Sequence, residues 1–325
     1  MIRCPLCGAG PERNVAVSSK GRGGDALRSV ACTVCGLVFS NPMPAAAALD
    51  AFYRRQYRLE YKRSARPQPR RILRAFRLAR HRLDGLLPHL PATGRALDLG
   101  AGGGEWVRTL CLLGLDAEGI EPGAEFALYA AEEYGVRITP APSDAIAFDD
   151  GAFDLVTAFH VFEHLRDPGS AFDRVHALLR PGGRFVVEVP DIASDWQSNA
   201  SKFHFAHVIG FTADTLRALG GRHGFSVVAD LTGRLNAVAV ALVFARSDAA
   251  ATGDLPSASS VERTIAALRR RTLLHRGTVA GSLRKFTRSF EERWTTRGLT
   301  GRQIGDRVIG EALTRLGLTP PAALR

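Results

Sequence analysis

The feature that most limits what this chain can become is a glycine-rich turn between two apolar segments, Ala96-Leu97-Asp98-Leu99-Gly100-Ala101-Gly102-Gly103-Gly104-Glu105. A short apolar run ending in glycines at 100, 102 and 104 reads as a buried strand that turns sharply into a helix. Without Cβ atoms the loop lets a ligand approach its backbone, and the helix behind it aims free N–H groups the same way. The spacing is G-x-G-x-G rather than the G-x-G-x-x-G of dinucleotide sites, although Gly103 softens the register. Alone, such a loop is a weak signal. From Arg95 onward, however, the alternation continues. Strands are predicted at 96–99, 117–120, 136–138, 153–159 and 184–189, helices at 105–113, 124–134, 170–179 and 212–223, and a closing strand pair at 225–231 and 237–245. Strands and helices in that order predict an α/β fold, a Rossmann-like doubly wound sheet of seven strands with helices on both faces.

A carboxylate follows the second strand. Glu121 lies 21 residues past Gly100, where it would accept hydrogen bonds from both hydroxyls of a ribose. Further along come Ser143-Asp144-Ala145, then Asp149-Asp150-Gly151-Ala152-Phe153-Asp154-Leu155-Val156. Phe159-His160-Val161-Phe162-Glu163-His164-Leu165 and Leu179-Arg180-Pro181-Gly182-Gly183 complete the set. In this order the segments resemble the class I methyltransferases that use S-adenosylmethionine (SAM). That resemblance implies that Asp98 holds the methionine end of SAM, with Gly100, Ala101, Gly102 and Gly104 forming the loop around it. It also implies that Glu121 and Pro122 meet the ribose, that Ser143, Asp144 and Ala145 read adenine, and that His160 lies beside the cofactor. A dinucleotide-binding Rossmann domain is the competing reading, and it leaves the last two segments unexplained.

Ahead of this region stand two matching knuckles, Cys4-Pro5-Leu6-Cys7-Gly8 and Cys32-Thr33-Val34-Cys35-Gly36, with 24 residues between Cys7 and Cys32. Four thiolates close a tetrahedral shell around Zn²⁺, and a glycine after each pair permits the turn that presents both sulfurs. The expected site is structural, with no ligand position left open. A redox Cys-x-x-Cys is the alternative, and the duplication argues against it. Cys111 reads as core. The knuckles together with Gly36-Leu37-Val38-Phe39-Ser40-Asn41-Pro42 resemble a bacterial methyltransferase subgroup carrying an N-terminal zinc-binding domain. Several of its members act in deoxysugar, surface-glycan or natural-product pathways. The resemblance covers roughly residues 1–245.

Methyl transfer from a sulfonium needs an acceptor in line with the S–CH₃ bond, and a base only where the acceptor must lose a proton. The candidate catalytic residues are His207, His204 and His164. In the sugar C-methyltransferases of the zinc-bearing subgroup the corresponding loop reads Tyr-x-Glu-His-x-x-x-Phe-Ser. This chain has His204-Phe205-Ala206-His207-Val208-Ile209-Gly210-Phe211-Thr212, so His207 and Phe211 are kept while His204 and Ala206 replace the Tyr and the Glu. The lost carboxylate turns the expectation from C-methylation towards O-methylation, with His207 as base or substrate ligand and plain packing as the rival role for each histidine.

Charge adds a partner question. Lys and Arg number 43 against 32 Asp and Glu, a net +11, with a dense basic run from Tyr53 to Arg82 and a second from Arg263 onward. Such flanks suit an anionic partner, whether phosphorylated substrate, membrane surface or nucleic acid, and equally a solvated helix face. No stretch has the roughly 20 apolar residues of a membrane-spanning helix, and the first residues carry no secretory signal, so a cytoplasmic protein is expected. The expected organisation is a zinc ribbon at 1–44, a basic helical lead-in at 45–92, a SAM-binding domain at 93–246, a linker at 247–260 and a basic helical extension at 261–325. The function expected is SAM-dependent methylation of a small molecule or glycan precursor, most directly O-methylation of a sugar or related metabolite. The alternative is an RNA methyltransferase that grips phosphates with its ribbon and basic helices. The sequence gives no oligomeric state.

Overall fold

The computed structural model describes residues 1–20, 26–52, 67–142, 148–195, 202–247, 253–269 and 291–319. In chain order the first elements are β1 (Asn14–Lys20), β2 (Ala26–Cys32), β3 (Val38–Ser40), α1 (Ala46–Phe52) and α2 (Pro69–Leu86). Then follow β4 (Arg95–Leu99), α3 (Glu105–Leu112), β5 (Asp116–Ile120), α4 (Ala124–Tyr134), β6 (Arg137–Thr139) and β7 (Phe153–Phe159). The remainder comprises α5 (Pro168–Leu178), β8 (Leu179–Pro190), β9 (Ile209–Gly210), α6 (Ala213–Arg222), β10 (Phe225–Asp230), β11 (Ala239–Arg246), α7 (Ala258–Arg269) and α8 (Gly301–Arg315). None of the described helices is long and apolar enough to cross a membrane.

Seven strands form one mixed sheet in the order β10-β11-β8-β7-β4-β5-β6. β4, β5 and β6 run parallel, whereas β11 lies antiparallel to both β8 and β10. Strand order reverses between β4 and β7, and such a switch point is where doubly wound sheets bind ligands, beyond the carboxyl ends of the strands. The predicted seven-stranded α/β sheet is therefore present. Helix starts follow local chemistry: Asp167 caps α5 by accepting from the Ser170 N–H at 3.1 Å, with Pro168 next in line. Thr212 and Thr215 form a reciprocal capping box on α6. α7 begins at Ala258, inside the stretch expected to be linker.

The chain divides into two compact units. One holds Met1–Tyr57, Phe148–Ala152 and Ala158–His275; the other holds Arg58–Ala147, Phe153–Thr157 and Arg276–Arg325. In the first unit β1, β2 and β3 make an antiparallel meander, and β9 adds a fourth strand, pairing Val38 with Gly210 and Phe39 with Ile209. The sequence reads the 204–212 stretch as a loop; two of its residues instead finish the ribbon's sheet. The physical reason is that β3 is apolar and needs a covered edge. α7 packs on the same sheet, its Leu268 joining Leu27, Ala31, Val38, Ile192 and Phe203 in one apolar cluster.

In the second unit α8 packs against α2, α3 and α4. Arg108 and Asp306 pair at 2.8 Å, and the Arg302 N–H donates to Glu133 at 2.8 Å. A Cβ on Gly305 would collide with the buried Phe76 ring, which Tyr134 meets edge-on at 5.4 Å. Gly305→Ala is therefore expected to destabilise the fold by about 1–3 kcal/mol, as overpacking does, and a thermal melt should show the lowered midpoint. An unchanged midpoint would mean that α8 is not held this closely.

Candidate functional site

The glycine loop leaves β4 at Asp98, whose side chain is buried and accepts a 2.6 Å hydrogen bond from the Thr157 hydroxyl on β7. Burial pushes the Asp98 carboxyl up to about 7, against the opposing Thr157 bond and the charge of Arg82, with Glu121 adding to the rise. Gly104 caps α3 in a left-handed conformation, φ 84°, and a Cβ there would sit 2.8 Å from that of Ala130. That position needs glycine on both counts. The Ala101 N–H donates to the Ile120 carbonyl at 2.8 Å, tying the loop to β5.

Glu121 is held by the loop itself. Its two carboxylate oxygens accept from the Gly102 N–H at 2.9 Å and the Gly123 N–H at 3.0 Å. One donor on each oxygen leaves a further lone pair for a ribose hydroxyl. Pro122 is exposed beside it, and a Cβ built on Gly102 meets nothing within 4 Å among the described residues. This buried acid, fixed carboxylate and open glycine backbone fit the methionine and ribose ends of SAM. Ser143, Asp144 and Ala145 lie outside the described residues.

A second group of titratable side chains follows β7, in the first unit. His160 has φ 57°, a conformation that non-glycine residues seldom take and that tends to mark functional sites. Its Nε2 is 3.2 Å from Glu188 and its Nδ1 is 3.4 Å from Glu163. Burial works against a charge on His160, but contacts with Glu163 and Glu188 outweigh it and raise its pKa to about 9. Glu163, in turn, overcomes its own burial through the positive charges of His164 and His160 and falls to about 2. His164 donates from Nδ1 to the Ala206 carbonyl at 2.9 Å and meets His207 edge-on, with ring centroids 4.8 Å apart. Burial, and then the neighbouring His164 charge, hold His207 down to about 3, so its ring is neutral.

His204 is bound into the backbone of its own turn. Its Nδ1 accepts from the Ala206 N–H at 3.1 Å, and its carbonyl accepts from the His207 N–H at 3.0 Å. The other ring nitrogen then carries the hydrogen, which makes His204 a donor. The sequence reading missed Thr157, Glu163 and Glu188 as partners in these networks. Each carried one signal: a hydroxyl or a carboxylate inside an otherwise apolar buried run.

In the N-terminal knuckles Cys4 and Cys35 are 3.5 Å apart through sulfur, as are Cys7 and Cys32. All four sulfurs lie within 4.8 Å of one another. A disulfide would need roughly 2.05 Å. Zn–S bonds of about 2.3 Å put tetrahedral sulfurs about 3.8 Å apart, so the four fit zinc. Hydrogen bonding from Cys35 and Cys4 lowers the pKa of the Cys32 thiol, while that same contact with Cys32 raises those of Cys4 and Cys35. Gly8 and Gly36, φ 73° and 78°, make the turns after each pair.

Residues 71–230 match the family described as "Methyltransferase domain". The chain carries a methyltransferase domain. This domain is 33% identical over 103 residues to the ubiquinone biosynthesis O-methyltransferase of Xanthomonas axonopodis pv. citri (strain 306), covering 30% of this chain and 43% of that one. It is 36% identical over 110 residues to the protein of the same name from Methylococcus capsulatus (strain ATCC 33009 / NCIMB 11132 / Bath), covering 31% and 46%. The chain thus spans less than half the length of these relatives. In fold it is similar to the 1,6-didemethyltoxoflavin-N1-methyltransferase of Burkholderia thailandensis, solved with 1,6-didemethyltoxoflavin and S-adenosylhomocysteine. That match has a TM-score of 0.50 at 22% identity and covers 65% of this chain and 96% of the other. The methyltransferase domain thus contains both the glycine loop and the acid–histidine group after β7.

Proposed function

We propose that the chain moves a methyl group from SAM to a hydroxyl oxygen of a small molecule, with a structural zinc ion in its N-terminal ribbon. The observation that carries the reading is Glu121, fixed by two loop N–H groups beside a buried Asp98. SAM supplies a methyl group on a positively charged sulfur, which leaves as a neutral thioether. Asp98 pairs with the amino group of its methionine part and Glu121 takes the ribose hydroxyls. His207, neutral and half-buried, activates the acceptor hydroxyl. As the oxygen–carbon bond forms, the sulfur–carbon bond breaks, its electron pair stays on sulfur and the acceptor proton is released.

Oxygen as the acceptor atom is supported by the relatives named O-methyltransferases and by Ala206, which stands where the C-methylating pattern has a carboxylate. A sugar or related metabolite fits the ribbon's resemblance, and a phenolic hydroxyl fits the relatives' names. Labelled SAM offered with both classes of acceptor separates the two. Label fixed on carbon would refute the oxygen assignment. His207→Ala is expected to lower turnover about 10²–10⁴-fold while SAM affinity stays within a few-fold. Full turnover in that variant would remove His207 from the reaction.

Affinity for SAM should depend on pH through Asp98. The free carboxyl has a raised pKa, so it takes up a proton as the pH falls through about 7 and can no longer pair with the ammonium of SAM. Affinity should be flat above that pH and weaken by roughly tenfold per unit below it, as one proton competes with the ligand. Calorimetric titrations from pH 8 down to pH 5.5 would show this; equal affinity throughout would detach Asp98 from the ammonium.

A further inference from the structure

We propose that Glu163, His164 and His207 bind a divalent first-row transition-metal ion, distinct from the zinc of the ribbon and left open on one side to an exchangeable ligand. The clearest sign is Glu163. Its side chain is 3% exposed, and both of its buried carboxylate oxygens lack a hydrogen-bond partner among the described residues. A buried carboxylate without hydrogen bonds is costly unless a cation supplies what is missing.

His164 narrows what that cation is. Its Nδ1 stands 2.9 Å from the Ala206 carbonyl oxygen, which only accepts, so Nδ1 carries the hydrogen. The other ring nitrogen, Nε2, stands 3.7 Å from Glu163 Oε1. That gap is too long for an N–H···O bond, and both atoms are of the kinds that bind a metal ion. An ion bonded at about 2.1 Å to both would hold them about 3.0–3.4 Å apart, so a slight closing of the pair seats it. His207 supplies the third donor, and all three ligand atoms lie within 4.8 Å of one another.

Other features agree. A metal-bound imidazole commonly donates its second nitrogen to a backbone carbonyl, which fixes tautomer and ring plane, and His164 does so with Ala206. Two imidazoles and one carboxylate are borderline ligands suited to zinc, cobalt or iron, whereas four thiolates make a soft and closed shell. His164 and His207 are each half-buried, so a fourth ligand has access. His160 stands on the other side of Glu163, its Nδ1 3.4 Å from Oε1 and its Nε2 3.2 Å from Glu188, and offsets part of the buried charge.

The use of this ion rests on the oxygen-acceptor reading: an acceptor hydroxyl bound at the open position would lose its proton more readily. His207 would then act by holding the ion. Metal binding can be tested without SAM or acceptor. The full chain, stripped by a chelator, is titrated with Co²⁺ and followed by absorption. The ribbon should take one equivalent with intense sulfur-to-cobalt charge-transfer bands. A second equivalent should give only weak visible bands of nitrogen and oxygen ligation. Glu163→Gln and His207→Ala should each abolish the second equivalent and leave the charge-transfer bands unchanged. His207 is only half-buried, so its variant keeps the test usable if Glu163→Gln fails to fold. One equivalent in total, or a second that survives both substitutions, would overturn the proposal. In the first case Glu163 is balanced by its neighbouring histidines alone, and the oxygen-acceptor reading stands or falls on its own assays.

Discussion

Cys35→Ser is expected to strip the chain of its ribbon zinc and to cut methyl transfer at least a hundredfold, while SAM still binds. The ribbon's own sheet is three short strands, and Cys32 and Cys35, two of the four cysteines grouped to hold the zinc, are fully buried within it. Units this small seldom fold on apolar burial alone, and structural zinc contributes about 10–16 kcal/mol in isolated zinc fingers. Loss of one thiolate should therefore unfold β1–β3. β9 would lose the strand it pairs with, and the His204–His207 turn would lose its downstream anchor. The glycine loop belongs to the other unit and should keep its affinity for SAM. Metal analysis, calorimetry with SAM and a turnover assay on the same sample check the three parts. Zinc loss with unimpaired turnover would mean that the ribbon does not support the acceptor site.

Asp98→Asn is expected to lower SAM affinity by two to three orders of magnitude, since removing one partner of a buried ion pair costs about 3–5 kcal/mol. The fold should survive, because an amide oxygen can still accept from Thr157. The variant should also lose the weakening below pH 7, having no carboxyl to protonate there. Retained affinity would show that the ammonium of SAM is held elsewhere.

The two features that the sequence exposes most directly are local ones. The turn from Asp98 to Gly104 and the paired cysteines are short, contiguous patterns whose residue types have few other uses. The bounds of α4 and β7 fall where periodicity places them, because both are strongly patterned elements. Long-range relations were less legible. That Ile209 and Gly210 close the ribbon's sheet depends on an edge contributed by residues about 170 positions away, as the Val38–Gly210 pairing shows. Thr157 becomes a partner of Asp98 only when β7 lies beside β4. Glu163 and Glu188 stood out as charges inside apolar runs, yet only the fold sets them either side of His160. The C-terminal extension has helical periodicity but no motif. Its helices go separate ways, α7 onto β1 and α8 onto α2, because each has an apolar stripe that only a particular neighbour can cover.

SAM binding at the glycine loop is tested most directly by a calorimetric titration of the zinc-loaded protein with SAM, alongside Glu121→Ala. One SAM should bind per chain, and affinity should fall at least tenfold when the carboxylate held by Gly102 and Gly123 is removed. No binding to the unaltered protein, or equal binding by both, would contradict binding at that loop.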